Sequence, residues 1–139
     1  MIDLVDHQLL GSVLGGASSP RREASIFTTG YFYVRLCQAL LGSSAAAGLL
    51  SAPFATLPGE SHFRAIQLLL ELPEEIGLVS LRELAPVIGK LRVRHDPNIL
   101  GMEALAAAVH LEADVYLSAP SPRLEEALRR EARSVEILV

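Results

Sequence analysis

The stretch Asn98–Val139, NILGMEALAAAVHLEADVYLSAPSPRLEEALRREARSVEILV, decides the fold. It predicts a helix at its start, a strand over 114–118, a second helix and a final strand over 134–139. We expect Ser121 to cap the second helix, and Pro122 suits its first turn because that position needs no backbone amide. A crossover of this length favours parallel strands and a right-handed connection. The stretch therefore predicts a parallel α/β sheet.

The composition is typical of one globular domain over residues 1–139. Half of the residues are hydrophobic and 20% are charged, which argues against disorder. No apolar run is long enough to span a membrane, and no cationic region precedes the first apolar stretch, so we expect neither a membrane segment nor a signal peptide. The single cysteine, Cys37, fits a reducing cytoplasm. The net charge of −4 gives no overall basic field for nucleic acid.

The rest of the chain also alternates strands and helices. The predicted elements are strands over 1–5, 25–28 and 76–79, and helices over 9–14, 29–42, 61–71 and 81–91. Residues 43–57 predict a short helix followed by a loop. Ser80 and Glu83 have capping-box spacing at the start of one helix. This order predicts a three-layer α/β/α fold with a mostly parallel, twisted sheet.

Three local sequences carry a resemblance to a known family. They are Leu4–Leu10 (LVDHQLL), Ile26–Thr29 (IFTT), and the alanines Ala106–Ala108 followed by Asp114–Ser118 (DVYLS) and Leu124. Together with the order of elements, they resemble the PIN-domain family of compact α/β/α domains. Many members are magnesium- or manganese-dependent ribonucleases, including toxins of toxin–antitoxin pairs. The resemblance covers most of the chain and is most specific at its two ends.

The resemblance implies three or four carboxylates at the carboxyl ends of the strands, where they hold the divalent cation that activates water. Asp6 matches the first acidic position. The second falls near Arg35, the third at Gly101, and the fourth at Pro120 or Ser121. One of four carboxylates is therefore present, and we expect no bound metal or other cofactor.

Two further carboxylates keep a nuclease reading open. Glu103 supplies the third position if the alignment shifts, although two residues along a helix correspond to a rotation of about 200°, which turns Glu103 away from the site that Gly101 faces. Asp96 lies in a loop from which it can reach inward. Asp6 itself is either a metal ligand or a helix-terminal carboxylate favoured by the helix dipole. Arg35 is either its ion-pair partner or an ordinary exposed arginine.

Surface charge gives a weaker signal. Lys90, Arg92, Arg94 and His95 form a basic cluster, which is either a phosphate-binding face or a solvated helix end. Asp3, in the first strand, is expected to face solvent or lie at an edge. The high apolar fraction favours a homodimer, with the helices after Thr29 and over 61–71 as candidate interfaces.

The sequence thus predicts a PIN-like domain that has lost metal-dependent nuclease activity and binds a protein partner or RNA. One alternative is a Mg²⁺- or Mn²⁺-dependent ribonuclease of toxin type that uses Asp6, Glu103 and Asp96. The other is a small-ligand-binding domain that uses the crevice beyond the strand ends. The residues predicted to line that crevice are Asp6, Thr28, Thr29, Arg35, Gly101, Ser118, Pro120 and Ser121.

Overall fold

The computed structural model describes residues 1–17, 19–21, 23–41 and 59–138, and in these ranges the strands form one parallel sheet. The strands are β1 (Ile2–Val5), β2 (Ser25–Thr29), β3 (Ile76–Val79), β4 (Asp114–Leu117) and β5 (Val135–Ile137). The helices are α1 (His7–Leu14), α2 (Gly30–Leu41), α3 (Gly59–Leu70), α4 (Leu81–Leu91), α5 (Ile99–Leu111) and α6 (Pro122–Arg130). The strand order is β3-β2-β1-β4-β5, and every neighbouring pair is parallel. The predicted α/β class is confirmed.

Helices cover both faces of the sheet. On one face, α4, α5 and α6 pack with Leu4 of β1 and Val115 of β4. On the other, α1, α2 and α3 pack with Val5 of β1 and Tyr116 of β4. Because successive strand residues point to opposite faces, β1 and β4 are apolar on both sides, as parallel strands between helix layers are. This arrangement is the predicted three-layer α/β/α fold.

Local capping explains where several helices begin. The side chains of Ser80 and Asn98 accept hydrogen bonds from backbone amides two and three residues later, at the starts of α4 and α5. The cap predicted for Ser121 is wrong: its side chain makes no capping hydrogen bond. Its backbone, at φ −140° and ψ 80°, is not in the usual extended cap geometry, and its amide donates instead to the carboxylate of Glu125 at 2.8 Å.

Asp3 is not at an edge or facing solvent, as the sequence suggested. It is fully buried because β1 is the central strand of the sheet. The guanidinium of Arg21 folds over it and donates from Nε at 2.9 Å. A second guanidinium nitrogen bonds the carboxylate of Asp114, at the start of β4, at 2.6 Å. One arginine therefore bridges two carboxylates at the amino ends of the neighbouring strands β1 and β4.

The predicted helix and loop over 43–57 lie outside the described residues. The observed strands are shorter than predicted at the end of the chain, with β4 ending at Leu117 and β5 at Ile137. Among the helices that the structure describes, none has both the length and the apolar character needed to cross a bilayer.

Candidate functional site

A cavity of about 670 Å³ opens beyond the carboxyl ends of β1 and β4. These strands are neighbours in the sheet, but the chain continues from β1 towards one edge and from β4 towards the other. Open parallel sheets bind ligands at such a switch point. The cavity, called the crevice below, is lined by Asp6, His7, Gln8, Phe32, Arg35, Ala39, Asn98, Leu100, Gly101, Leu117, Ser118, Ala119, Pro120, Ser121 and Leu124.

The carboxylate of Asp6 is held by the protein itself. Its Oδ1 accepts from the backbone amide of Leu9 at 3.0 Å, which makes Asp6 the N-cap of α1. Its Oδ2 accepts from both the amide and the hydroxyl of Ser118, at 2.7 and 2.6 Å. The two oxygens offer about four lone-pair sites, and three are occupied by protein donors. The carboxylate of Asp6 therefore connects the ends of β1 and β4 by hydrogen bonds and has little capacity left to coordinate a cation.

The other positions at which the resemblance implied carboxylates do not provide metal ligands either. An ideal Cβ at Gly101 would lie 2.8 Å from Cβ of Pro97, so an acidic side chain there requires Pro97 to move. Pro120 and Ser121 line the crevice without a carboxylate. Within the described ranges, no three histidine, cysteine or acidic side chains cluster closely enough to share a metal ion. This donor set does not match the several oxygen ligands that Mg²⁺ requires.

Arg35 and His7 set the electrostatics of the crevice. Arg35 lies on α2, is exposed, and forms no ion pair with Asp6. His7 is the first residue of α1 and only 9% exposed. Burial lowers the pKa of His7; the charge of Asp6 opposes this shift, and that of Arg35 adds to it. His7 is therefore neutral near pH 7, and Arg35 provides the positive charge of the crevice.

Three helices begin at the crevice, because residues from the first turns of α1, α5 and α6 line it. Their N-terminal dipole ends add partial positive charge. The walls also carry large apolar side chains, among them Phe32, Leu100 and Leu124. The crevice thus combines one cation, helix N-termini and an apolar wall, a mixture common in sites for small organic ligands.

Thr28 and Thr29 do not line the crevice, contrary to prediction. Both are fully buried. The hydroxyl of Thr28 donates to the carbonyl of Val5 at 2.9 Å, and that of Thr29 accepts from the amide of Phe32 at 3.2 Å. These local bonds tie β2 to β1 and to α2, so neither hydroxyl is available to a ligand.

Glu103 and Asp96 also lie outside the crevice. Glu103 is fully buried on α5, and its Oε1 accepts from the amide of Tyr31 at 2.9 Å, at the start of α2. As predicted from helix geometry, Gly101 lines the crevice and Glu103, two residues later, does not. Asp96 is exposed in the loop before α5 and borders a different groove. The three carboxylates of the nuclease alternative are therefore not brought together.

That different groove, of about 490 Å³, collects arginines from two parts of the chain. Arg92 and Arg94 follow α4, while Arg123 and Arg130 belong to α6. Arg130 is paired with Glu126 of its own helix at 2.8 Å. Of the predicted basic cluster, Arg92, Arg94 and His95 line this groove, called the basic groove below, and Lys90 does not. The sequence did not indicate the contribution of α6, because its arginines lie about thirty positions further along the chain.

Sequence reasoning missed several residues of the crevice, chiefly His7, Phe32, Asn98 and Leu100. A signal for two of them was present. His7 directly follows Asp6, and Asn98 is the cap of α5. Because α5 leads back to the start of β4, its first turn must lie at the carboxyl edge of the sheet.

The sequence matches no protein-family model and no curated protein.

Proposed function

We propose that this chain is a PIN-like domain that has lost metal-dependent nuclease activity and acts by binding. One observation carries the proposal: the carboxylate of Asp6, which would be the first metal ligand, accepts three hydrogen bonds from Leu9 and Ser118. The close approach of Pro97 to Gly101 adds support, since a carboxylate at the third position would require Pro97 to shift. Mg²⁺ normally needs further carboxylates or phosphates beside the first.

The direct test adds Mg²⁺ or Mn²⁺ to the purified protein with single-stranded RNA. We expect no metal-dependent cleavage and no thermal stabilisation at millimolar metal. A metal ion that bound the folded protein would raise its stability by RT ln(1 + [L]/Kd), so thermal unfolding would detect such binding. Asp6→Asn is the matched control. If the wild type cuts RNA with Mn²⁺ and Asp6→Asn does not, the chain is a ribonuclease and the binding proposal is wrong.

RNA is the macromolecular partner that a specific feature favours over a protein. Four arginines border the basic groove, and phosphate contacts by such side chains make affinity fall steeply with salt. Arg123 is a suitable target because it lies at the exposed start of α6. Arg123→Gln should weaken RNA binding and reduce its salt dependence, whereas Arg82→Gln, on the outside of α4, should not. Equal effects of the two variants would remove the groove from the proposal.

A second candidate function is the binding of a small molecule in the crevice. Its volume of about 670 Å³ lies within the range of pockets for small ligands. Its position at the switch point between β1 and β4 is the usual one for such sites in open parallel sheets. This candidate is compatible with the first, because the crevice and the basic groove are lined by different residues.

We also propose that the domain is a cytoplasmic homodimer that pairs through α2 and α3. Large apolar side chains are exposed on both helices, including Val34 and Leu41 of α2 and Phe63 and Leu70 of α3. Burying such side chains against a second copy would remove apolar surface from water. Sedimentation should give a dimer at micromolar concentration, and Phe63→Ser should shift it towards monomer. A wild type that sediments only as a monomer would rule out the pairing.

A further inference from the structure

The crevice is electrostatically simple. Arg35 is the one lysine or arginine among its described lining residues, and Asp6 is the one carboxylate. The charge of Asp6 is already stabilised by three protein donors. Arg35 is therefore the charged side chain of the crevice that a ligand of opposite charge can pair with. The N-termini of α1, α5 and α6 at the same cavity favour a negative ligand as well.

A second, independent feature also points to a ligand. His7 lines the crevice and is about nine-tenths buried, yet its Nδ1 has no hydrogen-bond partner in the part of the chain that the structure describes. Buried polar atoms in native proteins are almost always paired. The His7 ring lies 5.7 Å from that of Phe32, centroid to centroid, and both residues line the crevice. A ligand with a hydrogen-bonding polar group next to an apolar body would complement both side chains.

We propose that the crevice binds a small organic monocarboxylate with an apolar body, its carboxylate paired with Arg35 and its body packed on Phe32, Leu100 and Leu124. This inference rests on the proposed function, since it requires a crevice that binds and does not hold a catalytic metal. The planar guanidinium of arginine matches a carboxylate through two parallel hydrogen bonds. The apolar side chains offer a surface that the apolar body of a ligand can cover and so remove from water, which a fully polar ligand cannot do favourably.

The charge balance selects a monocarboxylate over a phosphate ester. A phosphate monoester carries about −1.5 to −2 charges at pH 7. One arginine balances one charge, His7 is neutral, and the nearby charge of Asp6 repels any excess. Because Arg35 and Asp6 cancel before binding, a single carboxylate leaves the crevice with a net charge of −1, whereas a phosphate monoester leaves about −1.5 to −2 in a partly enclosed cavity.

The test compares three probes with the full chain: 3-phenylpropionate, its neutral amide 3-phenylpropionamide, and inorganic phosphate. Binding is measured by calorimetry, and its position by the imidazole NMR signals of His7. We expect 3-phenylpropionate to bind with a Kd of about 1 mM or tighter and to shift the His7 signals. The amide and phosphate should bind at least about tenfold more weakly, since each lacks either the charge or the apolar body.

Arg35→Gln should weaken 3-phenylpropionate binding by about tenfold to a hundredfold, as expected for loss of a charged hydrogen-bond partner. Arg35→Lys should retain part of the affinity because it keeps the charge without the planar fork. Arg82→Gln, an exposed arginine outside the crevice, is the matched control and should bind as the wild type does. Because both positions are exposed, we expect these variants to fold as the wild type does.

Any of three results would overturn the inference. The folded wild type does not bind 3-phenylpropionate at 20-fold the expected Kd, or roughly 20 mM; the amide binds as tightly as the acid; or phosphate binds more tightly than either. Failure of the proposed function is seen separately, as Mn²⁺-dependent RNA cleavage that requires Asp6. A protein that neither cuts RNA nor binds the acid would refute this inference and leave the proposed function standing.

Discussion

The carboxylate of Asp6 and the backbone and hydroxyl of Ser118 are joined by two hydrogen bonds of 2.7 and 2.6 Å, although the residues are 112 positions apart. Asp6 directly follows the central strand β1, and Ser118 directly follows its neighbour β4. Both residues line the crevice, where the connections after β1 and β4 lead to opposite edges of the sheet. A residue expected to hold a metal thus has a structural role, and this has a measurable consequence.

Asp6→Asn should destabilise the protein by about 1–3 kcal/mol, because asparagine presents one acceptor oxygen and places an NH₂ group towards a donor. Ser118→Ala removes the hydroxyl bond alone and should have a smaller effect, about 1 kcal/mol. Urea unfolding of both variants measures the difference. Active-site carboxylates often reduce stability, so their removal stabilises a protein. An increase in stability for Asp6→Asn would therefore favour the nuclease reading.

Position in the sheet gives a second prediction. Leu117 lies on β4, an interior strand, and is only 3% exposed, so Leu117→Ala should destabilise by about 2–5 kcal/mol. Ser80→Ala removes the hydroxyl that caps α4 and should destabilise by about 1 kcal/mol. Denaturant midpoints at constant m-value compare the two. Similar losses would mean that Leu117 is not in a well-packed core.

Arg21, at the amino ends of the strands, provides a third prediction. It is 31% exposed, but its partner Asp3 is fully buried. Arg21→Gln leaves the buried carboxylate of Asp3 without its cation, so the loss of stability should exceed that of Ser80→Ala. The double variant Asp3→Asn with Arg21→Gln should recover part of the loss, since it removes the unpaired charge. Thermal unfolding of the wild type, the two single variants and the double variant tests this, and additive losses would show that the two residues do not interact.

Local patterns predicted the elements well because their causes are local. The caps at Ser80 and Asn98, the glycines after α1 and the apolar periodicity all act within one or two turns of chain. The position of Asp6 and Ser118 at one edge followed from parallel pairing alone, since the ends of neighbouring parallel strands must meet. The fold class and the location of the crevice were therefore accessible from the sequence.

The errors arose where a side chain's partner is distant or its bonds are satisfied locally. Asp3 is buried because Arg21, in a turn-rich loop, folds over it, and no spacing rule predicts that contact. Thr28 and Thr29 stand at the correct strand end, but their hydroxyls bond to neighbouring backbone groups. His7 has no motif that distinguishes it from an ordinary histidine, so its buried environment is visible only in the structure.

His7 gives a pH-dependent prediction. Its pKa is lowered chiefly by burial, so the unfolded chain takes up a proton more readily than the folded protein. Stability should therefore fall as the pH drops below about 6.5, the ordinary value for histidine, until the folded protein is protonated as well. His7→Gln should flatten this part of the profile between pH 7.5 and 5. Parallel profiles for the two proteins would contradict the assignment.

Glu103 supplies the last prediction, which separates a structural carboxylate from a catalytic one. Its Oε1 accepts from the amide of Tyr31, while its Oε2 is buried without a partner among the described residues. Glu103→Gln keeps the acceptor and removes a buried charge, so its stability should lie within about 1 kcal/mol of the wild type or above it.

Glu103→Ala is the matched comparison. It leaves the Tyr31 amide at the start of α2 unpaired and opens a cavity on α5, so it should destabilise by about 1–3 kcal/mol or more. Neither variant should alter the response to Mn²⁺, because Glu103 does not line the crevice that contains Asp6. A Mn²⁺-induced rise in Tm that disappears in Glu103→Gln would place this carboxylate in a metal site and contradict its assignment as a buried helix partner.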